Sequence, residues 1–202
     1  MFEDLRGQYF PLELPGGVIC HPVTAATCTE VRQALMAQVF PHWEAMNRYE
    51  PPAERRANFA RLREIYQHVH REYFVFYDRE RPVGWSMGRM ENVITYRMNN
   101  TGVLPQYRRK GIYRAFLTHL LAYIKALGYE TVISYHHPTN RAILQAKLSM
   151  GFVISGTILS EEVGVTIQLS HYFYEDRLAA FEEALSLEPD FSRQTGSGGE
   201  TA

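Results

Sequence analysis

The hydrophobic residues of this chain change their spacing several times, from the helical period to the alternation of strands and back. The clearest helical stretch follows Gly111, where apolar residues recur every three or four positions and Gly128 stands where a helix commonly ends. Strand alternation is clearest from Val163 to Phe173. The two patterns in alternation predict an α/β domain with a mixed sheet. The apolar positions of the helix are Ile112, Phe116, Leu120, Ile124 and Leu127.

Before this helix, the sequence predicts a short strand, two helices and three further strands. The first strand spans Val18 to His21. Thr29 is the expected N-cap of the first helix, and the Pro51-Pro52 pair starts the second. The three strands are a hairpin from Tyr73 to Met90 and a third extended run from Val93 to Val103.

After this helix, we expect a strand from Thr131 to Tyr135 and a short helix that Thr139 or Asn140 caps and that ends at Gly151. A closing pair of strands follows, and then a last helix from about Asp176 to Leu187. The predicted order of elements is therefore βααβββαβαββα.

The composition is that of an ordinary globular protein, with 202 residues, 46% hydrophobic and 21% charged. We expect one domain over residues 1–190 and a flexible polar tail over residues 191–202, which are small and glycine-rich. The formal net charge of −1 supplies no global positive field for nucleic acids or anionic membranes. With no signal-peptide pattern and no apolar run of membrane-spanning length, we expect a cytoplasmic protein without a nucleic-acid or membrane partner.

Cysteine and histidine usage favours neither disulfides nor metal binding. Cys20 and Cys28 are too few for a disulfide framework and lack metal-ligand spacing, so we expect buried, reduced thiols. The His68-Val69-His70 sequence has no HExxH pattern and no carboxylate at ligand spacing, and we assign no metal.

Three basic residues stand at the start of the clearest helix, at Arg108, Arg109 and Lys110. A helix N-terminus carries about half a positive charge, so cations are unfavourable there unless an anion occupies the site. Gly111 would let the backbone approach an anion closely, and the N–H groups of the first turn would point at it. The segment is typical of a pyrophosphate site, with a solvated basic turn as the alternative.

The sequence from Val18 to Tyr174 resembles the GCN5-related N-acetyltransferase (GNAT) family. The family motif Arg/Gln-x-x-Gly-x-Gly/Ala is matched from Arg108 to Ile112, and Tyr113 departs from its last position, with a side chain expected to turn away. The second signature, Asn followed eleven residues later by Gly-Phe, is matched by Asn140 and Gly151-Phe152.

The resemblance implies a mixed, mostly antiparallel sheet with helices on both faces and a splay between the fourth and fifth strands. It implies acetyl-CoA as co-substrate and no metal, with pantetheine in the splay and pyrophosphate at the helix start. Asn140 would touch the pantetheine arm, act as a plain N-cap, or do both. The other implied contacts are Thr101, Gly102 and Val103 for pantetheine and Arg108, Arg109, Lys110, Gly111, Ile112 and Tyr113 for pyrophosphate.

The reaction implied is direct acetyl transfer to an amine of a small molecule or a peptide. Many relatives have a tyrosine seven residues after the Asn as the acid for the leaving thiolate, and here that position is Lys147, either a proton donor or an exposed helix lysine. Tyr135 is the first candidate for the acid. His136 is a candidate base, with loop solvation as its alternative.

Arg97 stands on the fourth strand, where some relatives keep a catalytic Glu or Tyr, and arginine cannot be a base. We expect its side chain to face the acceptor end of the cleft with Tyr135 across the splay. Its partner is either an internal carboxylate such as Glu91 or an anionic group of the acceptor substrate.

Two functions of different classes fit these residues. The first is an acetyl-CoA-dependent N-acetyltransferase, and the second is a catalytically inactive CoA-binding sensor or interaction module. Nucleic-acid binding through Arg108 to Lys110 is disfavoured, because three cations in a neutral chain give only a weak salt-dependent attraction. Nothing in the sequence specifies the oligomeric state.

Overall fold

The computed structural model describes residues 2–41, 51–161 and 163–186. Within these residues the chain forms helices and strands that we number in chain order. The helices are α1 (Phe2–Tyr9), α2 (Ala25–Val39), α3 (Ala53–Tyr66), α4 (Ile112–Ala126), α5 (Arg141–Leu148) and α6 (Glu175–Ser186). The strands are β1 (Leu12–Leu14), β2 (Val18–Pro22), β3 (Arg71–Asp78), β4 (Arg81–Asn92), β5 (Thr95–Val103), β6 (Thr131–His136), β7 (Val153–Ser160) and β8 (Gly164–Tyr172).

The eight described strands form one sheet in the order β1-β2-β3-β4-β5-β6-β8-β7. Its neighbouring strands are antiparallel except β5 and β6, which run parallel. This architecture confirms the mixed, mostly antiparallel sheet that the sequence predicts. Because β1 precedes the predicted strands, the fourth and fifth strands of the prediction are β5 and β6.

Helices cover both faces of the sheet, because the side chains of β3 and β4 alternate between two apolar surfaces. On one face, Phe116 of α4 contacts Phe74 and Phe76 of β3, with ring centroids 5.6 and 4.8 Å apart. On the other face, Phe40 at the end of α2 lies edge-on against Trp85 of β4. Helices α2 and α4 therefore lie on opposite faces of the sheet, on either side of the β5–β6 pair.

Several element boundaries differ from the prediction. Helix α2 begins at Ala25, five residues before the expected start, because Thr24 is the N-cap and its hydroxyl accepts a hydrogen bond from Thr27 N. Thr29 is one turn inside the helix, where its hydroxyl donates to the carbonyl of Ala25, so the prediction that it caps α2 is wrong. Helix α1 and strand β1 were not predicted.

Other predictions concern burial and the chain termini. Cys20 and Cys28 are free, buried thiols, as predicted. None of the helices in the described residues is long and apolar enough to cross a membrane. The predicted tail at 191–202 and the last expected helical residue, Leu187, lie outside the described residues.

A buried carboxylate holds α1 against the sheet. Glu72 of β3, 1% exposed, accepts hydrogen bonds from Arg6 Nη2 of α1 at 3.1 Å, from Tyr123 Oη of α4 at 2.8 Å and from His70 Nε2 at 2.9 Å. Burial raises the pKa of Glu72, but the hydrogen bond from His70 and the charge of Arg6 outweigh it and hold that pKa below its ordinary value. This cluster joins three elements through one ionised side chain.

We predict that Glu72→Gln lowers the free energy of unfolding by about 2 kcal/mol or more at pH 7, because Arg6 loses a buried partner. The lowered pKa makes the contribution of Glu72 fully present above the pKa of the unfolded chain and lost as the pH falls through the folded pKa. Urea unfolding between pH 7 and pH 3 measures both effects.

The matched control is Glu130→Gln, which breaks the more exposed ion pair with Arg177 at 3.0 Å. A surface pair of this kind contributes at most about 1 kcal/mol. Equal losses in the two variants would contradict the role assigned to Glu72.

Candidate functional site

A cavity of about 440 Å³ opens where β5 and β6 separate. The two strands pair from Thr95 with Thr131 to Met98 with Ser134, and the pairing ends there. A bulge at the same point leaves Asn99 as an extra residue, since Met87 of β4 pairs with Asn100 and Gly88 pairs with Met98. The cavity is lined by Val39, Phe40, Pro41, Met98, Asn99, Asn100, Thr101, Tyr113, Ser134, Tyr135, His136, His137, Asn140, Ile143 and Lys147.

The loop before α4 contains two residues in the left-handed backbone conformation. Gly111 is the N-cap of α4 with a φ of 81°, and Arg109 has a φ of 59°. A Cβ at Gly111 would meet only the ring of Pro15, at 3.6 Å, so backbone conformation and not space requires glycine here. The first N–H groups of α4 therefore start directly after a left-handed turn, beside the cavity.

The three cations of this loop differ in what they contact. Arg108 donates from Nε to the carbonyl of Val103 at 3.0 Å and from Nη2 to that of Val39 at 2.7 Å, which ties β5 to the end of α2. Arg109 and Lys110 are exposed, and the ammonium of Lys110 lies 5.2 Å from the ring centre of Tyr107. Arg108 thus shapes the loop, while Arg109 and Lys110 extend into solvent.

The last residues of β5 are held by β4. The hydroxyls of Thr101 and Ser86 are hydrogen-bonded at 2.8 Å. A Cβ on Gly102 would lie 2.5 Å from the ring of Trp85, so this glycine is required by packing inside the sheet. Val103 is buried and Ile112, the first residue of α4, is 2% exposed.

Tyr113 and Asn140 both line the cavity. Tyr113 lies in the cavity wall and not in the loop of residues 108–111, and burial raises its pKa, while the expectation that its side chain turns away from the phosphate stays a prediction. Asn140 is the N-cap of α5, but its side chain makes no capping hydrogen bond. Asn140 caps α5 through its backbone carbonyl, which accepts a hydrogen bond from Leu144 N, so capping does not occupy its side-chain amide.

Lys147 is completely buried, so the alternative of an exposed helix lysine is wrong. Its Nζ donates to Ser134 Oγ at 2.6 Å and to Met98 Sδ at 3.4 Å, and lies 4.7 Å from the ring centre of Phe152. None of the ion pairs among the described residues includes it. Burial without a counter-ion lowers the pKa of Lys147 to about 7.

Ser134 links Lys147 to His136, and the sequence prediction missed it. His136 Nε2 lies 3.0 Å from Ser134 Oγ, and because Lys147 donates to that oxygen, the hydroxyl proton of Ser134 can be donated to His136. Burial and the charge of Lys147 lower the pKa of His136 to about 3, so the histidine is neutral and a weak base. The role of His136 as a base stays a prediction, for a histidine whose pKa is lowered from its ordinary value.

Tyr135 and Arg97 lie on the opposite face of the sheet from Ser134, as strand alternation requires. The guanidinium carbon of Arg97 is 4.5 Å from the ring centre of Tyr135. Glu91 Oε1 is 3.6 Å from Arg97 Nη1, whereas Glu91 Oε2 is 3.1 Å from Arg89 Nη2. The carboxylate is thus closer to Arg89, and Arg97 Nε is a buried atom without a hydrogen-bond partner among the described residues.

Within the described residues, no group of three or more His, Cys, Asp or Glu side chains is arranged to hold a metal ion. His137, the neighbour of His136, is exposed and its Nδ1 contacts Thr139 Oγ1 at 2.7 Å.

Solved structures with a similar fold include several acetyltransferases. The ribosomal-protein-S18-alanine N-acetyltransferase from Escherichia coli has a TM-score of 0.56 at 15% identity, covering 77% of this chain and 93% of that one. A GNAT family acetyltransferase from Elizabethkingia anophelis with acetyl-CoA bound has a TM-score of 0.54 at 14% identity, covering 78% and 99%. An N-acetyltransferase from Staphylococcus aureus Mu50 has a TM-score of 0.55 at 16% identity, covering 78% and 99%.

A search of curated protein sequences found no match. At these identities the solved structures establish the fold alone, and the family is established by sequence. The model of the acetyltransferase (GNAT) family matches residues 39–152, more than half of the chain, and this span contains the cavity, the Gly111 turn and Lys147. The resemblance carried by the Arg108 to Ile112 motif and by Asn140 is thereby confirmed, and the chain belongs to the GNAT acetyltransferase family.

Proposed function

We propose that this protein is an N-acetyltransferase that moves the acetyl group of acetyl-CoA to an amine of a small molecule or a peptide by direct attack. The observation that carries this proposal is the cavity at the separation of β5 and β6, with the Gly111 turn beside it and a buried amine, Lys147, in its wall. Sites of this type combine an anion-binding helix start with an enclosed reaction chamber.

The residues around the cavity fit acetyl-CoA as co-substrate, which supplies an activated acetyl group. The first-turn N–H groups of α4 after Gly111, together with Arg109 and Lys110, would hold the pyrophosphate, with Arg108 keeping the loop in shape. Backbone groups from Asn99 to Val103, which lie where β5 leaves β6, would hold the pantetheine arm with the amide of Asn140. Tyr113 and Ile143 supply apolar wall.

Lys147 is the side chain best placed to hold the proton that the leaving sulfur needs. With a pKa of about 7, its ammonium is a stronger acid than an ordinary alkyl thiol, so transfer of that proton is favourable. Ser134 fixes the position of Nζ, and the neutral His136 accepts from Ser134. Tyr135, on the face with Arg97, lies at the acceptor end.

The first experiment is acetyl-CoA binding by calorimetry, where we expect micromolar affinity or tighter. Gly111→Val should weaken binding by about 1 kcal/mol or more, because a branched residue does not hold the positive φ that places the N–H groups of α4. Gly128→Val is the matched control, since Gly128 has a φ of 96° at the other end of α4. Equal affinities in all three proteins would contradict the anion site, and a parent that does not bind would end the proposal.

The second experiment measures CoA release with a panel of amines, which separates an enzyme from an inactive CoA-binding module. For an amine that is turned over, Lys147→Met should lower kcat by about tenfold or more, because the proton donor is removed while the buried volume is kept. Tyr135→Phe is the comparison on the opposite face.

The pH dependence of kcat shows whether Lys147 acts as a proton donor. If Lys147 donates the proton, kcat of the parent declines as the pH rises above about 7, where the ammonium is lost, and Lys147→Met lacks this decline. The nearby titratable groups, His136 and His171, have pKa values lowered by burial and stay neutral in this range. A full rate in Lys147→Met with a reduced rate in Tyr135→Phe would transfer the role to Tyr135.

Arg97 indicates the class of acceptor. Its guanidinium stacks on Tyr135 at the acceptor end and shares Glu91 with the closer Arg89, which leaves positive charge for an acceptor with a carboxylate or phosphate near its amine. We predict that an amino acid has a higher kcat/KM than its decarboxylated amine in the parent, and that Arg97→Ala removes most of this preference.

Arg89→Ala is the matched control, because Arg89 lies on the same face and has its own close partner in Glu91. Its effect on the preference should be smaller than that of Arg97→Ala. Equal kcat/KM values for both compounds in the parent would exclude an anion-binding role for Arg97.

A further inference from the structure

Lys147 differs from the other lysines of the chain. The sequence contains three, and Lys110 and Lys125 are exposed, whereas Lys147 is 0% exposed in the wall of the cavity proposed for acetyl-CoA. A buried amine that has no carboxylate partner among the described residues favours its neutral form. A neutral amine is also the form that attacks a thioester.

Two hydrogen bonds connect the side-chain nitrogen of Lys147 through Ser134 to His136, and a proton can leave the nitrogen along them. Lys147 Nζ donates to Ser134 Oγ at 2.6 Å, and Ser134 in turn can donate to His136 Nε2 at 3.0 Å. An amine that attacks a carbonyl carbon must lose one N–H proton, and this chain of two hydrogen bonds can relay it through Ser134 to the neutral His136, which is a weak base and passes it on to the leaving thiolate. The amine that these two hydrogen bonds serve is the side-chain nitrogen of Lys147 itself.

We propose that Lys147 is itself an acetylation site, which takes the acetyl group from acetyl-CoA when no other amine occupies the cleft. This inference rests on the proposed binding of acetyl-CoA. In the step, a bond forms between Nζ and the acetyl carbonyl carbon, and the thioester C–S bond breaks. One Nζ proton passes to Ser134 while the Ser134 proton passes to His136, and the thiolate that leaves is protonated from His136 or from water.

The modification changes the chemistry of the site. The amide formed on Lys147 keeps one N–H, which can still donate to Ser134, but it no longer carries a charge or a proton for the leaving sulfur. The acetylated chain is therefore a self-inhibited form, which accumulates when acetyl-CoA is abundant and acceptor is scarce.

The test is incubation of the full chain with acetyl-CoA and no amine, followed by peptide mass spectrometry of all three lysines. We expect acetylation to approach one group per chain at Lys147, at least about a hundredfold faster than at Lys110 and Lys125, because the bound thioester is held beside Nζ. Ser134→Ala should slow this step by about tenfold at saturating acetyl-CoA, since the proton acceptor is lost.

Two controls define the outcome. Lys147→Arg should show only the slow acetylation at Lys110 and Lys125, and the parent unfolded in urea should acetylate all three lysines at similar rates. If calorimetry shows that the parent binds acetyl-CoA but Lys147 reacts no faster than the two exposed lysines, the inference is overturned while the proposed function stands. If the parent does not bind acetyl-CoA, the proposed function fails and the inference fails with it.

Discussion

The end of the parallel pairing between β5 and β6 is the constraint on which the site depends. Hydrogen bonding stops at Met98 and Ser134, and Asn99, the extra residue of the bulge between β4 and β5, comes directly after that point. Beyond the bulge, β5 pairs with β4 from Asn100 with Met87 to Val103 with Gly84, and the Thr101–Ser86 hydrogen bond and the packing of Trp85 on Gly102 add to this pairing. The β5 wall of the cavity is thus held by β4, and its β6 wall is held by β8.

The strand separation also explains why a lysine can be buried at position 147. Its Nζ lies under Met98 and Ser134, the last residues of the pairing, where one hydroxyl and one thioether sulfur satisfy it. Burial without a carboxylate is unfavourable for the charged form, and the lowered pKa values of Lys147 and His136 are the result. A lysine with a lowered pKa loses its proton readily, and this property suits both a proton donor and an amine that takes part in acyl transfer.

The parts of the fold that the sequence predicts are those in which one local signal decides the structure. Helix α4 follows from its apolar period, and the turn before it follows from Gly111, whose φ of 81° only glycine adopts readily. Helix α1 and strand β1 have no such signal: α1 is held by the Arg6–Glu72 pair, which joins residues 66 positions apart. The N-cap of α2 was misplaced because both Thr24 and Thr29 are suitable residues, and in the structure Thr24 makes the capping hydrogen bond while Thr29 lies inside the helix.

In the candidate site, too, the sequence predicts some features, whereas others depend on contacts between distant residues. The resemblance to the family, carried over by spacing, placed Arg97 across the strand separation from Tyr135 and put Lys147 at the position of a family acid, and the structure brings Arg97 and Tyr135 together. Burial of Lys147 could not be predicted, because it depends on Met98 and Ser134 from two other strands, and a lysine on a short helix is usually exposed. Ser134 was missed for the same reason, since one serine in an apolar strand has no pattern of its own. Strand alternation does place Ser134 and His136 on one face, and this was the available signal.

The most direct test of this account is an NMR titration of the side-chain nitrogens of the lysines, with and without CoA. With three lysines in the chain the spectrum is simple, and Lys147→Arg assigns the signal of interest. We expect one lysine signal that titrates at about pH 7, that is absent from Lys147→Arg and that shifts when CoA is added. A Lys147 signal that does not titrate near pH 7, or one that does not respond to CoA, would contradict the proposed role of Lys147.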